Sequence, residues 1–165
     1  MYRFLIAMLR GAIAMAILLG LFSQLVIIPT TAADEVDGFP PYAPYALPYV
    51  VVAIAGVACV QVVLAAAWKL LTMIERDAIF SPQAFRWVDV IIGSIIAATL
   101  LALAVTCHLT LGSIPSPDDG MELISAWGAA VATTGIGACM VFLIVIMRSL
   151  LRKATTMKSE LAEVV

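Results

Sequence analysis

The fold follows from residues 48–68, which read PYVVVAIAGVACVQVVLAAAW. This stretch carries no charged side chain, and Lys69 follows it directly. An α-helix needs about 20 apolar residues to cross the hydrocarbon core of a bilayer, whereas a spanning strand needs about 9–11 residues of alternating polarity. The stretch therefore predicts a transmembrane helix.

Three further apolar runs cover about residues 11–29, 88–109 and 123–147. Apolar residues make up 64% of the chain and charged residues 12%, and the mean hydropathy is +1.11. Soluble domains have about 45–50% apolar and about 25% charged residues. The sequence therefore predicts one all-α domain over residues 1–165, an integral membrane four-helix bundle followed by a cytoplasmic amphipathic helical tail at 148–165.

The basic side chains predict how the four spans are oriented. All nine Lys and Arg residues fall in three stretches, which hold Arg3 and Arg10, then Lys69, Arg76 and Arg86, then Arg148, Arg152, Lys153 and Lys158. The inter-run segments around 30–47 and 110–121 contain Asp but no Lys or Arg. Because basic residues beside a span stay in the cytoplasm, we expect both termini to be cytoplasmic.

The first run also has features of a secretory signal peptide. Arg3 and Arg10 precede it, and Thr31-Ala32-Ala33 resembles a cleavage site. A signal peptide has an apolar region of about 7–15 residues, and this run is longer. We therefore expect a retained first helix, which Pro29 ends.

The second basic stretch, residues 70–87, predicts a short turn and the start of the third helix. Ser81 can cap the helix N-terminus, and Pro82 suits the first helical position, where its missing N–H costs nothing. Phe80 and Phe85 then occupy the positions of a hydrophobic staple. We expect the third helix to begin near Pro82.

The third basic stretch carries a heptad-like apolar seam. Its members are Met147, Leu150, Ala154, Met157, Leu161 and Val164. A short coiled coil, a helix lying on the membrane surface and a helix packed on the 70–87 turn all produce this pattern.

The segment 38–49, GFPPYAPYALPY, is rich in proline and aromatic residues. Proline favours polyproline II geometry, which would align Tyr42 with Tyr45. The segment could serve as an external ligand lid. Aromatic residues at a membrane boundary are more simply interpreted as anchors in the interfacial belt.

Four polar residues within or beside the runs have both a functional and a structural interpretation. Asp89 could bind a proton or cation, but an interfacial ion pair with Arg86, three residues earlier, is the simpler interpretation. His108 could sense pH, although a lone histidine is more simply an interfacial residue. Gln24 and Gln61 could line a polar path, and interhelical hydrogen bonding explains them more simply.

Small residues recur at four-residue spacing in the third and fourth runs. The positions are Gly93 and Ala97, Gly128 and Ala132, and Ala130, Thr134 and Ala138. Such spacing favours close helix packing, either within the chain or between copies in a homo-oligomer.

Sequence motifs of enzymes and of metal sites are absent. The chain has no H-E-x-x-H, P-loop or Gly-flanked serine nucleophile with a usable histidine. Cys59, Cys107 and Cys139 form no C-x-x-C or Cys/His cluster, so we expect neither metal nor cofactor; buried thiols are favoured over a Cys59–Cys139 disulfide. No continuous basic face predicts direct nucleic-acid binding.

The turn and the tail resemble a known family. The sequence resembles the YoaS-like proteins, which are small four-helix bacterial membrane proteins of unknown function. The residues that carry the resemblance are Leu70 through Ile74 to Phe80-Ser81, Phe85-Arg86, and the tail from Leu151-Arg152-Lys153-Ala154 through Glu160 to Val165. The resemblance covers most of the chain and implies the bacterial inner (plasma) membrane. Such proteins are frequently encoded beside a small helix-turn-helix regulator, which implies a partner but no activity.

We therefore expect a non-enzymatic interaction or signalling component that binds a cytoplasmic partner such as a transcription regulator. The predicted partner-binding face comprises Leu70, Ile74, Phe80, Phe85, Arg86, Leu150, Arg152, Lys153, Met157 and Leu161. The alternative is a small transporter or channel subunit that uses Asp89, Gln24 and Gln61 as a polar or ion site.

Overall fold

A computed structural model describes residues 2–75, 82–112, 114–115 and 120–163, without the side chains of residues 2, 3, 82, 122, 151, 152 and 154–163. The described part is helical almost throughout. Its helices are α1 (Tyr2–Phe22), α2 (Ile28–Gly38), α3 (Ala43–Glu75), α4 (Pro82–Leu111) and α5 (Met121–Glu163). These bounds confirm the predicted all-α fold.

The first span does not end at Pro29, and that prediction was wrong. A π-helical turn, Ser23–Ile27, joins α1 to α2, so one continuous helix, the first rod, runs from Tyr2 to Gly38. Proline has no backbone N–H to donate and carries a bulky ring, and the wider π-helical turn tolerates both. The hydroxyls of Thr30 and Thr31 donate hydrogen bonds to the Ile27 carbonyl, at 3.0 and 2.8 Å. This carbonyl, at the end of the π-helical turn, therefore has hydrogen-bond partners.

Two further expectations about the proline-rich segment were also wrong. Residues 38–49 do not adopt polyproline II geometry, because Pro40–Tyr42 forms a 3₁₀ turn and α3 begins at Ala43. Pro48 lies inside α3 rather than at its start. A proline early in a helix removes one backbone hydrogen bond, and the freed carbonyl near the membrane surface can be hydrated.

The predicted start of the third long helix lies at the edge of the described residues. The described part of α4 begins at Pro82, and the predicted cap Ser81 and staple residue Phe80 lie outside the described residues, so the start near Pro82 stays a prediction. Gly120, with a φ of 75°, immediately precedes α5 and accepts a hydrogen bond from the Ile124 amide. Glycine suits this left-handed conformation because it has no Cβ.

Four helical segments are long and apolar enough to span a membrane: Phe4–Gly38, Pro40–Glu75, Gln83–Leu111 and Leu123–Leu150. Many large apolar side chains on these segments face outward, for example Leu18, Val51, Leu100 and Phe142. Lipid can cover such a surface and water cannot. The chain is therefore a multi-pass membrane protein.

Close backbone contacts between the described helices join only neighbours along the chain. The first rod packs on α3, α3 on α4, and α4 on α5, and contacts between them show that each pair is antiparallel. We name the two ends of this arrangement by their charges. The basic end contains Arg10, Lys69, Arg86 and Arg148, and the acidic end contains Asp34, Glu35 and Asp37.

The helices are most tightly packed toward the basic end. Among the described side chains, the buried apolar ones are Ile6, Ile13, Ala66, Leu71, Ala84 and Ile92. Each of them lies in the half of its helix nearer the basic end. A cavity lies at the acidic end.

Candidate functional site

At the basic end, Arg10 ties the first rod to α3. Its guanidinium forms an ion pair with Glu75 at 2.5 Å and donates to the Thr72 hydroxyl at 3.3 Å. The same guanidinium lies 5.9 Å from the centre of the Trp68 ring, within cation–π range. Arg10 therefore fixes the first helix in place, beyond its predicted role in orientation.

A second ion pair at this end joins α4 to α5. Asp89 contacts Arg148 at 2.7 Å, so the predicted pairing with Arg86 on the same helix was wrong. Pairs one turn apart on a helix stabilise weakly, whereas the antiparallel arrangement brings a cation of the next helix directly to Asp89. An interfacial structural pair thus accounts for this carboxylate.

The residues of the predicted partner-binding face occupy α3, α4 and α5 at the basic end. Leu70, Ile74 and Phe85 are half-buried. Arg86, Leu150 and Lys153 are exposed. Phe80 and the side chains of Arg152, Met157 and Leu161 lie outside the described part of the structure, so the assembly of the whole face stays a prediction.

The two glutamines of the predicted polar path lie between the first rod and α3. Gln24 donates to the Ile54 carbonyl at 3.1 Å, which confirms its interhelical hydrogen bond. The Gln61 amide nitrogen is buried with no hydrogen-bond partner among the described residues, and it lies beside Gly20. Asp89 belongs to the α4–α5 pair instead, so the three candidate polar residues do not share a helix interface.

Close packing of α4 on α5 depends partly on residues from the predicted small-residue pattern. Thr106 and Thr134 form a hydrogen bond of 3.4 Å across the interface. A Cβ at Gly137 would overlap the Thr99 side chain, so this glycine, which the pattern missed, permits the contact. A Cβ at Gly93 or Gly128 would meet no described atom within 4 Å, so contact between copies stays a prediction for them.

A cavity of about 720 Å³ lies at the acidic end between α2, α3, α4 and α5. Its walls are predominantly apolar, and Tyr42, Tyr45 and Tyr49 line the α3 side. Glu35 of α2 is the one charged residue among the described residues of the lining. The cavity therefore combines an apolar volume with aromatic faces and a carboxylate.

Hydrogen bonds and ring contacts hold the helices beside this cavity. The Tyr49 hydroxyl and His108 Nδ1 are 2.9 Å apart, and the His108 ring lies 5.9 Å from that of Tyr45. The Trp127 indole donates to the Thr110 hydroxyl at 3.0 Å. His108 thus connects α4 to α3.

The sequence interpretation missed this cavity because it assigned extended geometry to residues 38–49. Tyr42, Tyr45 and Tyr49 are spaced by three and four residues, which places them on one side of a helix. Helical spacing in the proline-rich segment was the signal that could have revealed them.

A family model described as "Protein of unknown function (DUF2975)" matches residues 30–165. The match confirms the predicted resemblance to a family of unknown function. No curated protein and no solved structure matches the chain.

Proposed function

Since the chain belongs to the DUF2975 family of proteins of unknown function, we propose that it acts as a non-enzymatic interaction or signalling component that binds a cytoplasmic partner. The proposed partner is a helix-turn-helix transcription regulator, the class that the YoaS-like resemblance implies. The proposed location is the bacterial inner membrane, with both termini in the cytoplasm.

The length of α5 is the observation that carries this proposal. The helix continues without interruption to Glu163, fifteen residues beyond Arg148. At about 1.5 Å per residue, this extension is roughly 22 Å long. The described part of the antiparallel helix α4 begins at Pro82, seven residues before Asp89, so it can accompany about half of the extension.

The apolar seam begins where the fourth membrane-capable segment, Leu123–Leu150, ends. Met147 and Leu150, its first members, are 63% and 62% exposed, and the seam continues along the extension beyond that segment. The extension also carries Arg152, Lys153 and Lys158. An apolar seam with basic neighbours suits a partner that offers an amphipathic, acidic helix.

A transport or channel function receives less support. It would need Asp89, Gln24 and Gln61 to face a common path, but Asp89 pairs with Arg148 while the glutamines lie between the first rod and α3. A flux in liposomes that Asp89→Asn abolishes would reverse this order of preference.

Co-purification of the full-length protein with any helix-turn-helix regulator encoded beside its gene tests the proposal. We expect solubilised membranes to yield a complex, and deletion of residues 150–165 to abolish it. Recovery of the regulator at an unchanged level after that deletion would remove the tail from the proposal.

Two adjacent leucines provide a matched control. Leu150 belongs to the seam and Leu151 does not. We expect Leu150→Ser to reduce regulator recovery by about tenfold, the effect of losing roughly 1.4 kcal/mol of apolar contact, and Leu151→Ser to change it little. Equal losses in both variants would indicate a general effect of tail polarity instead of a specific seam.

A further inference from the structure

The cavity at the acidic end has the size and wall chemistry of a small-molecule site. Binding sites for small organic ligands have volumes of about 300–1,000 Å³ and largely apolar walls with a few polar groups. The cavity measures about 720 Å³, and Val50, Ala53, Leu123 and Ala126 are among its apolar residues. Such walls favour a ligand with substantial apolar surface over a hydrated ion.

The charge of the lining favours a positively charged ligand. Glu35 supplies a carboxylate, and no Lys or Arg occurs among the described lining residues. Asp34 and Asp37 flank it on α2, and the whole segment 30–47 lacks Lys and Arg. A cleft whose surrounding charges have one sign raises the local concentration of oppositely charged ligands.

The tyrosines add a second preference for cations. Tyr42, Tyr45 and Tyr49 line the cavity from one side. The face of an aromatic ring attracts organic cations within about 6 Å, and rings arranged together recognise quaternary ammonium groups. The Tyr49–His108 hydrogen bond and the 5.9 Å Tyr45–His108 ring contact restrict the movement of two of these rings.

We propose that this cavity binds an amphiphilic organic cation. Glu35 serves as the counter-ion, the tyrosine rings contact the cationic centre, and the apolar walls contact its hydrocarbon or aryl substituents. This site is independent of the partner-binding proposal, because it lies at the opposite end of the helices and uses none of the same residues.

Two ions of nearly identical size and shape but opposite charge test the proposal. We would measure the binding of tetraphenylphosphonium and of tetraphenylborate to the purified full-length protein in a neutral detergent, by equilibrium dialysis. We expect saturable binding of the phosphonium with an affinity at least tenfold higher than that of the borate. Equal affinities, or tighter binding of the borate, would overturn the proposal.

A pair of substitutions on α2 separates a specific counter-ion from general surface charge. Glu35→Gln should lower the phosphonium affinity by about fivefold to tenfold and leave borate binding no weaker. Asp37→Asn removes the same charge outside the cavity lining and should change the phosphonium affinity less than twofold. Equal losses in the two variants would show that only the diffuse acidic surface attracts the ion, contrary to the proposal.

A third substitution tests the aromatic contribution. Tyr45→Leu keeps an apolar side chain but removes the ring, so the phosphonium affinity should fall about threefold or more while borate binding stays the same. An equal loss for both ions would assign the ring a purely apolar role and would contradict recognition of the cation.

Two further measurements distinguish the cation site from a lipid site and from the tail. If added zwitterionic phospholipid displaces the phosphonium equally from the wild-type protein and Glu35→Gln, the cavity is a lipid site and the proposal fails. Deletion of residues 150–165 should leave phosphonium binding unchanged, so loss of the regulator complex and loss of the cation site can be recognised separately.

Discussion

The two ends of this protein are held together in different ways. At the basic end, ion pairs join the first rod to α3 and α4 to α5, and the buried apolar side chains lie in the same halves of the helices. At the acidic end, an aromatic cluster and two hydrogen bonds between side chains of different helices border a cavity of about 720 Å³.

The comparison indicates how a small membrane protein can combine a stable region with a binding volume. In lipid, apolar surface gives little drive for helix association, so close packing and polar contacts between helices determine where the helices stay together. Among the described residues, the buried apolar side chains lie toward the basic end, whereas polar contacts between helices occur at both ends. Polar contacts therefore hold the helices together beside the cavity, where buried apolar side chains are lacking among the described residues.

The largest difference in stability between the two ends should appear when one leucine in each half of α3 is replaced by alanine. Leu71 is 9% exposed near the basic end, and Leu47 is 74% exposed near the acidic end. We expect Leu71→Ala to lower the free energy of unfolding by about 2 kcal/mol, because it leaves a cavity among packed side chains. Leu47→Ala should cost less than about 0.5 kcal/mol.

Reversible unfolding of the two variants in mixed micelles measures both values. Equal losses would mean that the basic end is no better packed than the acidic end, and the comparison would be wrong.

A smaller effect should come from the ion pair between Arg10 and Glu75. Both side chains are partly exposed, at 29% and 36%, so solvent screens their interaction. A double-mutant cycle with Arg10→Met and Glu75→Gln should give a coupling energy of about 0.5–1 kcal/mol. Arg10→Met alone should cost more than the coupling energy, because it also removes the contacts with Thr72 and Trp68.

The control for this cycle combines Arg10→Met with Asp89→Asn, whose partner is Arg148. These two changes affect different helix pairs and should be additive. A coupling energy near zero between Arg10 and Glu75 would indicate that this ion pair does not help to hold the first rod against α3.

The smallest effect is expected at the acidic end, for Tyr49→Phe. The substitution removes the hydrogen bond to His108 but keeps the ring. Because this bond is exposed, its loss should cost less than about 0.5 kcal/mol in the same unfolding assay. A loss above about 1.5 kcal/mol would show that the tyrosine cluster stabilises the fold as strongly as the basic end does.

The sequence predicted the four spans because they depend on a local property. Uninterrupted apolar length specifies a span wherever the helix packs. The errors concerned prolines inside helices. Proline usually marks a helix boundary, and Pro29 and Pro48 were both interpreted in that way. The π-helical turn beside Pro29 allows the first helix to continue, and Pro48 lies near enough to the start of α3 to be tolerated inside it.

The candidate sites were less predictable than the fold. The sequence placed Asp89 at a span boundary, but an ion pair with a residue 59 positions later depends on how α4 meets α5. The cavity depends on residues from α2, α3, α4 and α5, and its three tyrosines looked like membrane anchors when considered separately. Neither arrangement has a signature in any single segment.

The sequence by itself determined that the chain is helical and membrane-embedded, and it determined where the charges lie along the chain. These properties follow from apolar length and from the cost of placing charges in lipid, both of which act on each segment alone. Only the tertiary structure decided which charges pair, which end is tightly packed and where a cavity remains. Those outcomes depend on the relative positions of side chains from different helices, and lipid-facing apolar sequence carries little information about them.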